Sequence, residues 1–204
     1  MLKNRYTGTI GDMGCYSFNG NKIITTGGGG MIVTNKVVYA KKAKYLTTQT
    51  NDDPIKYIHN EVGYNFRLTN IQAAMGVAQL EMLDKYIKIK KQNYLKYKKE
   101  IDKIEGLQIG QTPGYAQSNY WFYCLQIDKG IYGKNQGKLM PYLSSNGIQA
   151  RSTWHLNYLQ KPYKDCQSYK IENAYKMQAK TLNMPCSVDL KQQDIFRVVK
   201  VLRG

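Results

Sequence analysis

The chain has 204 residues, 42% of them hydrophobic, enough apolar material for a sizeable core and too much for disorder by composition. No apolar run reaches the length of a membrane-spanning helix and no charged-then-apolar leader opens the chain, so the expectation is a cytoplasmic protein with no membrane partner. Thirty Lys and Arg against fourteen Asp and Glu leave a formal charge of +16, spread thinly, which reads as a lysine-rich surface and not as a nucleic-acid site.

Gly14 to Phe18 suits a strand, as does Gly30 to Thr34, and the two are expected to be neighbours. Between them stand Lys22 and the run Gly27-Gly28-Gly29-Gly30. A lysine amine is a useful nucleophile only when it is kept partly neutral, by desolvation or a neighbouring cation. Small residues and short apolar segments around Lys22 offer a dry setting for a Schiff-base lysine. A solvated surface charge beside a hairpin turn is the plainer alternative. The glycines form neither a Walker loop nor a dinucleotide fingerprint.

Lys36 to Leu46 is predicted as a short basic helix, followed by a polar segment to Tyr57 with a turn at Asp52-Asp53-Pro54. Thr69 is an N-cap candidate, and Gln72 completes a Thr-x-x-Gln capping box. Ile71, Ala74, Met75, Ala78 and Met82 then keep helical spacing, and the pattern runs on, perhaps broken, to a stop at Gly106. The basic cluster Lys85 to Lys103 lies within it. A helix this long suits a connector, with a domain boundary near Tyr86 that divides the chain into residues 1–85 and 86–204.

Beyond it, Tyr120 to Ile127 reads as a strand and Gln136 to Ser145 as a helix that Pro141 kinks or restarts. A strand from Ile148 to Ser152 and a helix from Ile171 to Lys180 follow. In the last helix Asp189 is the cap candidate, and Ile195, Val198, Val199 and Leu202 share a face. Strands alternating with helices make an α/β domain. Cys15, Cys124, Cys166 and Cys186 form no Cys-x-x-Cys pair. With only His59 and His155 beside them they point to no metal site and no disulfide framework, and mostly buried free thiols are expected.

Ser17-Phe18-Asn19-Gly20-Asn21-Lys22, followed by Thr25-Thr26-Gly27-Gly28-Gly29-Gly30-Met31, resembles the cofactor-lysine motif of the DegT/DnrJ/StrS family of pyridoxal-phosphate-dependent nucleotide-sugar aminotransferases. Gly63-Tyr64-Asn65-Phe66-Arg67-Leu68-Thr69-Asn70-Ile71-Gln72-Ala73-Ala74 resembles its second signature. Gly147-Ile148-Gln149-Ala150-Arg151, with the Leu182-Asn183-Met184-Pro185 turn, resembles a third. The resemblance implies part of an aspartate-aminotransferase-like (fold type I) large domain over residues 1–85, followed by a small C-terminal α/β domain over 86–204.

It also implies roles. Lys22 would carry pyridoxal 5'-phosphate and move the proton, Ser17 would bind the cofactor phosphate, and Asn65 and Arg67 would reach the phosphate of a neighbouring subunit's cofactor in a homodimer. Asn19, Arg151, Trp154 and His155 lie where relatives contact the sugar nucleotide. The form of the lysine motif resembles the subgroup acting on UDP-linked 4-keto-6-deoxy-N-acetylhexosamines in surface-glycan synthesis, with glutamate as donor. Family members carry a long segment ahead of the lysine motif, so the resemblance is to a C-terminal portion, and activity is expected only when the other half is supplied. Two alternatives stand beside it: a basic nucleic-acid or polyanion-binding module, and a non-catalytic remnant of the aminotransferase.

Overall fold

The computed structural model describes residues 1–204. The chain divides into two compact units, residues 1–86 with 112–118, and residues 87–111 with 119–204.

In the first unit β1 (Gly14–Ser17) and β2 (Gly30–Val33) form an antiparallel pair with Cys15 opposite Ile32. The helix α1 (Val37–Thr47) follows, and then a small hairpin, β3 (Asn51–Asp53) with β4 (Ile58–His59), where sequence reading placed only a turn. Asp53 makes the turn at the hairpin's tip, because its Oδ1 accepts from the N–H groups of Ile55 (2.9 Å) and Lys56 (3.0 Å). The capping box opens α2 (Asn70–Glu81) as expected: Gln72 N–H donates to Thr69 Oγ1 and Thr69 N–H to Gln72 Oε1, both at 3.3 Å. Residues 112–118 belong here because Met1 donates to the Gln117 carbonyl at 2.6 Å and Lys3 N–H to that of Tyr115 at 3.1 Å.

The helical pattern is not continuous to Gly106. It breaks at Met82, and α3 (Leu83–Ile101) then runs through the division between the units and stops well before the glycine. Gly106, at φ +77, instead starts β5 (Leu107–Ile109), a strand the helical reading hid. The second unit continues with β6 (Tyr123–Ile127), the single turn α4 (Lys129–Tyr132) and α5 (Gln136–Ser145). Pro141 does not interrupt α5. Asn135 caps its start, accepting from Lys138 N–H at 3.0 Å, and Asn146 closes its end. Next come β7 (Arg151–Ser152), shorter than predicted, α6 (Asn173–Lys180), β8 (Thr181–Met184) and α7 (Gln192–Arg203). The segment read as a Leu182–Pro185 turn is thus a buried central strand in an antiparallel sheet ordered β5-β6-β8-β7. Asp189 is not the cap of α7: the helix starts after Lys191, whose N–H donates to Asp194 Oδ2 at 2.8 Å.

The whole buried apolar core lies in this second unit. Tyr97 and Ile101 of α3, Leu139 and Leu143 of α5, and Ile195, Val198, Val199 and Leu202 of α7 pack on Leu107, Ile109, Tyr123, Leu125 and Leu182 of the sheet. The first unit buries only Gly14, Thr26 and Thr50. There α2 keeps its apolar stripe exposed, with Ile71 79% and Val77 60% accessible. Of the thiols, Cys15 and Cys166 are at the surface and Cys124 and Cys186 half-buried, so the expectation of mostly buried thiols does not hold.

Candidate active site

Past Ser17, which pairs with Gly30, the chain leaves the β1–β2 ladder but does not wander. Phe18 N–H donates to the Gly29 carbonyl at 3.0 Å, and the Phe18 carbonyl accepts from Thr26 N–H at 3.0 Å and Thr25 Oγ1 at 2.8 Å. The loop closed by these bonds carries Lys22, whose own N–H donates to the Asn19 carbonyl at 3.0 Å, making Asn19 to Lys22 a tight turn. Thr26 is buried at the loop's return, its hydroxyl turned onto the Gly28 carbonyl.

The glycines make this path available. Gly27 (φ +78) and Gly29 (φ +87) are in the left-handed region. A Cβ on Gly30 would lie 2.6 Å from the Tyr16 carbonyl oxygen across the ladder. The run is therefore the return arm of a closed loop, more than a hairpin turn. Around it Lys22 is half-buried, and Ser17 and Asn19 are exposed, so these residues do not enclose the amine in the dry setting sequence reading anticipated. Ser17 Oγ accepts from Asn19 N–H at 3.3 Å.

The Gly63–Leu68 segment is strapped to the end of α1. Tyr64 N–H donates to the Leu46 carbonyl at 2.7 Å, Phe66 N–H to that of Thr47 at 3.1 Å, and Gln49 N–H to that of Tyr64 at 3.1 Å. The rings of Tyr64 and Phe66 stack at 5.1 Å. Alternation along an extended chain sends Asn65 and Arg67 to the opposite side, where both are exposed. Leu68 abuts the lysine loop, since a Cβ built on Gly29 would meet its Cδ1 at 2.9 Å. The first unit thus holds Ser17, Asn19, Lys22, Asn65 and Arg67 on two segments that touch. Arg151, Trp154 and His155 belong to the second unit and are exposed.

The donor set in the first unit fits pyridoxal phosphate in kind. A primary amine meets an aldehyde, while a hydroxyl, an amide and a guanidinium are donors for phosphate oxygens, the guanidinium with a paired fork. Space is present on the loop as well: nothing lies within 4 Å of a Cβ built at Gly20, Gly27 or Gly28.

Sequence reasoning passed over the surroundings of Trp154. Its ring lies 5.8 Å from that of Trp121 and 5.2 Å from that of Phe122, two residues read only as strand. The signal was available, because these are the chain's two tryptophans.

The sequence profile of the DegT/DnrJ/EryC1/StrS aminotransferase family matches residues 1–203. GDP-perosamine synthase of Caulobacter vibrioides is 32% identical over 203 residues, covering 98% of this chain and 54% of that protein. The UDP-4-amino-4,6-dideoxy-N-acetyl-beta-L-altrosamine transaminase of Campylobacter jejuni is 25% identical over 94% of this chain and 52% of its own length. Among solved structures, the aminotransferase TlmJ from Streptoalloteichus hindustanus superposes with a TM-score of 0.90 at 22% identity, over 100% of this chain and 54% of that one. That likeness carries the fold, an α/β architecture shared with sugar aminotransferases. The chain spans about half the length of the curated relatives it matches. No helix is long and apolar enough to cross a membrane. The chain belongs to the DegT/DnrJ/EryC1/StrS aminotransferase family.

Proposed function

We propose that this chain carries the cofactor lysine of a pyridoxal-phosphate-dependent aminotransferase acting on a nucleotide-linked keto-sugar in surface-glycan synthesis. Glutamate is the proposed donor and the cytoplasm the proposed site. The observation that carries the reading is the closed loop: Phe18 fixes both of its arms, so Lys22 stands at a set place beside Ser17 instead of on a mobile surface turn.

The residues divide the work by their chemistry. With pyridoxal phosphate bound, Lys22 would be the residue that holds its aldehyde, and the free amine would be the base that takes a proton from the substrate carbon and gives it back. Bound there, pyridoxal phosphate supplies an electron sink for the carbon that loses its proton. Ser17 would donate its hydroxyl to the phosphate. Asn65 and Arg67 would supply an amide and a bidentate cation to the phosphate held in the partner's site of the proposed homodimer. Asn19, exposed on the same loop, is the proposed substrate contact.

Family membership supports the sugar aminotransferase reading. For the nucleotide, the relative named for GDP is more similar than the one named for UDP, 32% against 25% identity, so the UDP-hexosamine subgroup expected from sequence is not favoured. The activity is assigned to the chain together with the polypeptide that supplies the other half of its relatives' length. The test is conversion of glutamate to 2-oxoglutarate by that assembly when a nucleotide-linked 4-keto-sugar is added. Lys22→Ala abolishes it on this reading, and turnover retained by that variant refutes the assignment.

A further inference from the structure

A cleft of about 460 Å³ opens in the second unit at the β5–β6 side of the sheet, lined by residues 106–108 and 126–129 with Lys180. Sites for small molecules run from about 300 to 1,000 Å³, so the space suits one small ligand. The cleft shares no residue with the lysine loop, with Gly63–Leu68, or with Arg151, Trp154 and His155.

The register of the sheet decides what this cleft presents. Leu107 and Ile127 are 7% and 3% exposed and turn into the core, so they give the cleft backbone and little apolar surface. Alternation sends Gln108 and Gln126 to the other face. These two stand opposite each other in the β5–β6 pair, and Gln126 stands opposite Thr181 in the β6–β8 pair. Two amides and a hydroxyl thus lie in one cross-strand row. The Thr181 hydroxyl is buried and has no hydrogen-bond partner, which leaves it free to hold the Gln126 side chain beside it.

The ends of the elements supply the charge. Lys129 opens α4 and Lys180 closes α6; both are exposed and neither is ion-paired. Asp128 is the one carboxylate in the lining, and its Oδ1 is taken up by the Gly130 N–H at 2.9 Å. The wall is fixed as well: Asp128 N–H donates to the Gly106 carbonyl at 2.8 Å, and a Cβ on Gly106 would lie 2.5 Å from the Tyr132 nitrogen.

We propose that this cleft binds a phosphate monoester of a monosaccharide, with Lys129 and Lys180 on the phosphate and Gln108, Gln126 and Asp128 on the sugar hydroxyls. Two ammonium groups without acidic partners call for an anion. Amides donate and accept, and a carboxylate accepts only, which is the mixture that hydroxyl groups use and a bare phosphate does not. No aromatic side chain lines the cleft, so a nucleobase finds no ring to lie on. The site is additional to the transamination proposed above and does not depend on it.

Calorimetry tests this on the chain together with the polypeptide that supplies the other half of its relatives' length, without pyridoxal phosphate or amino donor. The probes are glucose 6-phosphate, inorganic phosphate and glucose. Glucose 6-phosphate should bind saturably, and more tightly than either of the other two. Lys129→Gln and Lys180→Gln should each weaken it about tenfold, the effect of one lost charge-assisted hydrogen bond, while Lys176→Gln, an exposed α6 lysine outside the lining, should not. Gln126→Met should weaken glucose 6-phosphate about fivefold and leave inorganic phosphate unchanged. Circular dichroism verifies the fold of each variant. Three results would overturn the proposal: no saturable binding of glucose 6-phosphate, equal affinity for inorganic phosphate or glucose, or affinity unchanged in both Lys129→Gln and Lys180→Gln. Because no cofactor is present, the outcome is independent of whether Lys22 carries pyridoxal phosphate.

Discussion

The N–H of Thr26 donates to the carbonyl of Phe18 at 3.0 Å, and with this bond the loop bearing Lys22 becomes a closed structure. Its return arm depends on backbone shapes that only glycine takes at low cost, which makes the arm the place to test it.

Gly29→Ala meets two obstacles, a left-handed φ of +87 and the Leu68 methyl 2.9 Å from the new Cβ. The backbone alone costs about 1–2 kcal/mol. The expected outcome is reduced incorporation of pyridoxal phosphate, with the circular dichroism of the second unit's helices unchanged. Unaltered incorporation would show that the loop geometry does not position Lys22.

Thr69 and Gln72 close α2 reciprocally, next to the strap that holds Asn65 and Arg67. Thr69→Ala should destabilise the first unit by about 1 kcal/mol, and Thr69→Ser should recover it. Hydrogen exchange at the N–H groups of the first turn of α2 reads this locally. Equal protection in wild type and Thr69→Ala would contradict the role.

Tyr97 is wholly buried and its hydroxyl has no hydrogen-bond partner. Tyr97→Phe removes that unsatisfied group and should raise stability by about 1 kcal/mol at neutral pH. Burial also pushes the Tyr97 phenol well above its ordinary 10.0, so the folded chain keeps a proton the unfolded chain loses. The contribution is complete below pH 10.0 and is lost as pH rises above it. Tyr97→Phe should therefore gain further on wild type in alkali. A lower melting temperature for the variant at neutral pH would refute this.

Lys90 carries the opposite sign. It is 4% exposed, its Nζ donates to the Cys186 carbonyl and lies 5.3 Å over the Tyr123 ring, and the Tyr123 hydroxyl donates back to the Lys90 carbonyl at 2.7 Å. Burial holds the ammonium below its ordinary 10.5, so the cost of burying charge is present at neutral pH and fades as pH rises toward that value. Relative to Lys90→Met, the wild type should gain stability between neutral pH and about pH 10. A pH-independent difference in melting temperature would rule this out.

Local chemistry was legible in the sequence and tertiary use was not. The capping box at Thr69, the strands flanking Lys22 and the buried face of α7 could be read because caps and periodicity are set by neighbours in the chain. Leu182 to Met184 was misread because a strand buried on both faces has no alternation to show, and Pro185 just beyond it looks like a turn. The stripe on α2 was correctly helical, yet Ile71 is exposed, since spacing says which residues share a face and not what covers them. The segments of the lysine site were named from their motifs. Their contact through Leu68 and Gly29, like the meeting of Trp121 with Trp154, joins residues far apart in sequence.

Reductive trapping tests the central assignment most directly. The chain, together with the polypeptide that supplies the other half of its relatives' length, is incubated with pyridoxal phosphate, reduced with borohydride, digested and mapped by mass spectrometry. The account predicts a phosphopyridoxyl group concentrated on Lys22 among the chain's many lysines, and its disappearance from that peptide in Lys22→Ala with no compensating site. Label scattered over exposed lysines such as Lys36 and Lys42, at the same total in Lys22→Ala as in wild type, would contradict it.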